Sequence, residues 1–374
     1  MRKEFLKRQR KINITREGKK HLGAVIGTES FRDEYVNQKL EEVADELRIL
    51  VEITKIEPQA AYAAFVAGFR HKLTYMMRTI PNIGQHLSKI DNIVSNEFIP
   101  ALMGGKIVNE SERKLLSMPV KYGGQALPIF AQISDLEFYN STLITKDLCK
   151  RIMTQQREYS KDKDVSVKKK HIAEKKKERY NHLLMELRQE MTDDKIRLLD
   201  LSQETEASSW LSVLPLTVEG YVLNKQCFKD LLRFRYGWVW KNFPSTCECG
   251  ANFSVDHALT CKKGGFVSIR HNEVRNITAS LLKEVCHDVR VEPPLQSVGG
   301  EDLPCNINLA DEARLDICAR GFWASGQMAF YDVGFLTHWP NVTETSRFQS
   351  ATKSTKKKRR SNTTTESLKS NMVH

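Results

Sequence analysis

The chain has 374 residues, enough for two or three domains with real cores, and 40% of them are apolar. No apolar run nears the ~20 residues of a membrane span, and the basic start MRKEFLKRQRK has no apolar stretch behind it, which excludes a secretory signal and points to an intracellular, nuclear or cytoplasmic protein that is not secreted. The net charge of +12 sits in the tails: residues 1–22 carry +7 and 341–374 carry +6, leaving −1 for everything between. Bulk charge therefore does not make the folded part a polyanion binder.

In chain order, Ser30 caps a predicted amphipathic helix over 30–56, with Val36, Leu40, Val43, Leu47 and Leu50 at helical spacing. Pro58 starts a second helix, which runs to Pro81. A third covers Ile83 to Met103 and ends at Gly104–Gly105 despite Pro100. The run Lys121–Leu127, with Gly123 and Gly124, reads as a turn, and a fourth helix follows near 130–145. These elements make 23–145 a helical unit.

Residues 146–204 are charged. Between Lys150 and Arg179 lie twelve basic and five acidic side chains. They read as a solvated helical linker or as a nucleic-acid contact through Lys168, Lys169, Lys170, Lys175, Lys176 and Lys177. The segment 205–265 then turns aromatic, from Trp210 to Trp240, which marks a core or an aromatic binding face.

The sharpest signal is Cys247-x-Cys249, seven residues, His257, three residues, Cys261. A knuckle eased by Gly250 can present two thiolates, and a helix from Asp256 places His257 and Cys261 four apart on one face. Four sulfur and nitrogen ligands suit structural zinc; His271 competes for the histidine place, and free core cysteines are the alternative.

Residues 266–340 read as a helix over Ile269–Val285 with one apolar face, a strand at 288–292, a strand at 313–320 bearing Asp316, a turn, and a strand at 327–336 bearing Asp332. That order is the order of a restriction-endonuclease-like core. Two carboxylates on adjacent strands can share Mg²⁺ with a phosphate, and Glu273 on the helix is a further candidate acid. The alternative is that Asp316 and Asp332 make ordinary polar contacts. In such cores a lysine two residues past the second acid orients water; here that position is Gly334.

These residues carry a resemblance. His21–Gly27, Ala61–Pro81 and Phe98–Leu102 resemble the region after the polymerase palm in reverse-transcriptase-like reading frames of animal retroelements. Cys247–Arg270, Glu292-Pro-Pro-Leu-Gln, Ala313-Arg-Leu-Asp-Ile and Arg320-Gly-Phe-Trp resemble the C-terminal part of the same frames, in site-specific non-LTR retrotransposons, where a Cys-Cys-His-Cys cluster precedes a restriction-like endonuclease. The resemblance covers about 12–340. It implies a thumb at 30–145, a structural zinc, and a nuclease fold at 266–340. No Tyr-x-Asp-Asp occurs in the 374 residues, so polymerase activity is not implied, and the chain reads as beginning just after the palm. The Ser/Thr/Lys-rich tail 341–374 departs from the family and reads as disordered or as a frameshifted remnant.

The expectation is an α+β protein: basic segment 1–22, helical thumb-like region 23–145, charged linker 146–204, aromatic zinc-knuckle region 205–265, incomplete α/β nuclease-like core 266–340 and basic tail. Its function reads as retrotransposon-derived zinc binding with weak, non-specific DNA or RNA binding and no membrane contact. The alternatives are a Mg²⁺-dependent endonuclease and a host-adopted interaction protein.

Overall fold

The computed structural model describes residues 15–155, 161–238, 240, 244–293 and 314–334. The tail 341–374 and most of the basic segment 1–22 lie outside the described residues. The described chain is mostly helical with two small antiparallel sheets, a mixed α+β architecture. It divides into two compact units, 1–240 and 241–374. The boundary falls inside the segment 205–265 that the sequence groups together.

The first unit opens with a hairpin, β1 (Gly18–His21) paired antiparallel with β2 (Ala24–Gly27). Helix α1 (Glu29–Ile56) follows. Its cap is Thr28, whose Oγ1 accepts the Phe31 N–H, so the helix starts two residues before the position Ser30 suggested. Leu40, Ala44, Leu47 and Val51 are buried along one face, as the spacing predicts.

The next two helical stretches are each interrupted. One is α2 (Pro58–Ala64), a π turn at Phe65–Phe69, then α3 (Arg70–Thr79). The other is α4 (Gly84–Ile93), a π turn at Val94–Phe98, then α5 (Ile99–Leu102). The second π turn explains how Pro100 is tolerated: the ladder is already widened one residue before α5, where proline's missing N–H leaves least unpaired. Phe65 and Phe98, one from each π turn, stack at 4.8 Å in the centre of the core.

Helix α6 (Glu110–Ser117) carries a capping box between Asn109 and Glu112. At the expected turn, Gly123 has φ +85, and a Cβ there would lie 2.3 Å from Leu199 Cδ1, so only glycine lets this loop approach. Helix α7 (Phe130–Thr154) is longer than the sequence suggests. Its first N–H groups, from Phe130 and Ala131, are each accepted at 2.8 Å by the buried Asp91 carboxylate.

The charged segment is no detached linker. Helix α8 (Lys161–Gln189) lays Ile172, Tyr180, Leu183, Leu184 and Leu187 inward, and Leu187 is buried in the main core. Helix α9 (Asp193–Gln203) begins with Asp193 and Asp194, where acids suit the helix dipole; this accounts for the chain's one Asp-Asp pair. Short α10 (Ser209–Ser212) and α11 (Lys225–Tyr236), ended by Gly237 at φ +62, complete the unit. Much of the aromatic segment is core, with Leu211, Phe228, Leu232, Tyr236 and Trp238 buried with the helices above, while Leu214, Leu216, Tyr221 and Phe234 are exposed.

The second unit holds α12 (Val255–Thr260), α13 (Phe266–Val285) and a three-stranded sheet of β3 (His287–Val291), β4 (Ile317–Arg320) and β5 (Met328–Tyr331), in that order and antiparallel. A register shift between His287 and Arg290 bulges β3. Helix α13 packs Ala279 and Leu282 on Ile317 and Ala319. The packed face is not the most apolar one: Ile269, Ile277, Leu281 and Val285 are exposed, while Arg275 is buried. The small Ala279 faces the sheet beside Ile317 and Ala319, and apolar content alone does not choose the packed face.

Candidate metal centre and acidic site

The Cys-His segment folds as a small knuckle followed by a helix. Thr246 bridges Asn252, the Cys247 N–H donates to the Ala251 carbonyl at 2.9 Å, and the Gly250 N–H donates to the Cys247 carbonyl at 2.8 Å. Gly250 turns the chain at φ +88. Ser254 then caps α12 by accepting the His257 N–H at 3.0 Å. Cys261 closes the helix, donating its N–H to the His257 carbonyl. Local structure thus puts two thiols on the knuckle, and a histidine and a thiol one helical turn apart.

The ligand atoms of Cys247, Cys249, His257 and Cys261 all lie within 4.8 Å of one another. Cys247 Sγ and Cys261 Sγ are 3.8 Å apart, and Cys249 Sγ is 3.2 Å from His257 Nε2. A tetrahedron with metal–sulfur bonds of about 2.3 Å has sulfur–sulfur edges of about 3.8 Å. The group could therefore hold a metal ion and is compatible with zinc. The Ala251 N–H, with the neighbouring donors, draws the Cys249 pKa down to about 7. At Cys261 the Lys263 N–H acts in the same direction, but desolvation and the adjacent Cys247 and Cys249 sulfurs outweigh it and leave that pKa raised. Three thiols this close crowd negative charge when ionised, and a bound cation relieves the crowding.

His271 is not a fourth-ligand competitor. It points from α13 to Asp316, with Nε2 2.8 Å from Oδ1. The Asp316 Oδ2 accepts the Val333 N–H. Asp316 lies just before β4 and Asp332 just after β5; since Ile317 pairs with Tyr331, the two acids occupy the next facing positions. Partial desolvation acts to raise the Asp316 pKa, but the Val333 N–H, His271 and Asp332 together hold it below the usual carboxylate range.

Glu273 stands apart from this pair. It is exposed, and two residues along a helix turn it roughly 200° from His271, toward the opposite face of α13. Of the His-Asn-Glu run it is His271, not Glu273, that faces Asp316. Arg275, to which the sequence assigned no role, is buried and ion-paired with Glu292 at the end of β3. The signal was there: His271, Arg275, Ala279 and Leu282 recur at helical spacing on the packed face. Gly334 follows the acids, exposed and beside open space.

In the first unit the six candidate lysines of α8 separate into two groups. Lys168 is ion-paired with Asp147, and Lys176 with Glu137, both on α7. These two hold the helix pair together. Lys169, Lys170, Lys175 and Lys177 are exposed. No described helix is long and apolar enough to cross a membrane.

No protein-family model matches the chain, and no curated protein matches it.

Proposed function

We propose that this chain is a protein of non-LTR retrotransposon descent that binds structural zinc and nucleic acid and does not polymerise. The second unit is in this reading a zinc-stapled module of restriction-endonuclease type, with Cys247, Cys249, His257 and Cys261 as the zinc ligands. The single observation that carries the reading is the convergence of those four donors within 4.8 Å, in the order knuckle then helix. Filled by four protein ligands, a zinc ion has no open position, so its work is to hold the knuckle on α12 and not to activate water.

The nucleic-acid part is supported by the exposed face of α8. Lys169, Lys170, Lys175 and Lys177 present charge without a described acidic partner on α7, and phosphate neutralisation needs only that. Binding to DNA or RNA is then non-specific and falls steeply with salt. Fluorescence anisotropy of labelled duplex across 50–200 mM salt tests this, since each lost contact reduces the log–log slope by about 0.9. Changing the four exposed lysines to Gln should flatten the slope; changing Lys168 and Lys176 should leave it intact. A natural chain that binds no nucleic acid, or binds it independently of salt, refutes the reading.

A second reading, a Mg²⁺-dependent endonuclease, is favoured by the facing positions of Asp316 and Asp332 at the ends of paired strands. Asp316 and Asp332 would hold the cation, which would supply charge stabilisation for a phosphate oxygen. Weighing against it, both Asp316 oxygens already accept hydrogen bonds, and Gly334 offers no ammonium group to orient water.

A further inference from the structure

Between β4 and β5 the chain makes a tight tip, Gly321-Phe-Trp-Ala-Ser-Gly326, with both glycines at positive φ (+91° and +81°). At this tip the largest side chain in the repertoire is left in water: Trp323 is 76% exposed. It is also braced. The Phe322 ring meets the Trp323 ring edge-on at 4.7 Å, and the Tyr331 ring edge-on at 5.5 Å. The three rings form a continuous run from the tip back to Tyr331, the neighbour of Asp332 in the chain.

Positive charge lies at the tip end of the sheet. Arg320 leads into the tip and Arg290 lies on the adjoining strand; both bond the one carboxylate of Asp288, which leaves a positive excess of one among the three. An exposed indole in isolation is a cost in water. An exposed indole set against Phe322, which itself packs on Tyr331, with an arginine close by in the chain, is what a stacked base needs: a held π-face and a nearby cation for the backbone.

We infer that Trp323 is a nucleobase-stacking platform, and that the β4–β5 tip contacts unpaired bases of single-stranded nucleic acid. The inference rests on the nucleic-acid reading above and names its partner more closely: single strands at the second unit, in addition to phosphate contact along α8. Stacking demands a base free of its pair, so the tip discriminates single strands from duplex. It reads no particular sequence, because every base has a π-face.

The test uses the full chain and two labelled probes, a single-stranded 20-mer of mixed sequence and its blunt duplex, measured by fluorescence anisotropy at fixed salt. Trp323→Ala should weaken single-strand binding about tenfold, within the range of one lost base stack, and leave duplex binding unchanged. Trp323→Phe should recover most of the loss, since a ring remains. The salt slope should be the same for natural chain and Trp323→Ala, because stacking releases no counterions, whereas Arg320→Ala should lower it. Trp323 lies at the surface, and an unchanged metal content and melting curve certify that the variants fold. Trp323→Ala binding single strands as tightly as the natural chain overturns the inference while leaving the salt-dependent reading in place. A natural chain that binds neither probe overturns both.

Discussion

His271 and Asp316 are joined by a 2.8 Å hydrogen bond that ties α13 to the end of the sheet where the second acid, Asp332, also lies. The bond consumes one Asp316 oxygen, the Val333 N–H consumes part of the other, and Gly334 leaves the water-orienting position bare. Each of these features reduces the capacity of the acid pair for phosphodiester cleavage.

The expected outcome is therefore no nicking of supercoiled plasmid by the natural chain with Mg²⁺ or Mn²⁺. A Cβ at Gly334 meets open space, so Gly334→Lys is sterically free, and nicking that appears only in this variant marks a site lacking one group. Nicking by the natural chain that disappears in Asp332→Ala would instead establish a live nuclease and displace the first reading.

For the metal centre, purified protein should contain about one zinc per chain by elemental analysis. Cys261→Ser should lose it, since three ligands hold the ion far less tightly than four, and the knuckle should become protease-sensitive, because metal binding and folding are one equilibrium in so small a segment. His271→Ala should keep the zinc, as His271 bonds Asp316. Retention of metal by Cys261→Ser together with its loss in His271→Ala would reverse the ligand assignment.

Glu137 on α7 bonds Lys176 on α8 and, at 2.9 Å, Arg78 on α3. Burial acts to raise its pKa, but the two cations outweigh it and hold the carboxyl below its ordinary value of 4.5. A group with a depressed folded pKa stabilises the fold above the ordinary value, and that contribution is lost as pH falls through the folded pKa. Glu137→Gln should cost roughly 1–2 kcal/mol at pH 7 in urea titrations. The difference from the natural chain should shrink below about pH 4. A cost that persists unchanged in acid would mean that packing, not charge, holds α7 to α8.

Leu187 tests whether α8 belongs to the core. It is 2% exposed and packs within the main cluster of the first unit. Leu187→Ala should destabilise that unit by roughly 2–4 kcal/mol, as for other buried leucines. A solvated linker position would show almost no change.

Much of the chain was legible without coordinates, and the reason differs by element. Helix α1 follows from a long apolar stripe, and Gly237 ends α11 because the left-handed C-terminal position favours glycine. The Cys-His cluster was legible because ligand chemistry and close spacing act within fifteen residues. For the same local reason the strand-turn-strand order was legible, although the sequence placed Asp316 and Asp332 inside strands and they lie just before β4 and just after β5. What it could not determine are relationships across distance. Helix α8 is polar enough to read as a linker, and only the acids of α7, Asp147 and Glu137, make two of its lysines structural. Helix α13 carries apolar residues all round, and packing on β4 buries the side with Ala279 and Leu282, which turns His271 toward Asp316 and Glu273 away. A sequence records which side chains can be buried; which of them are buried is decided by the partners that tertiary packing brings against them.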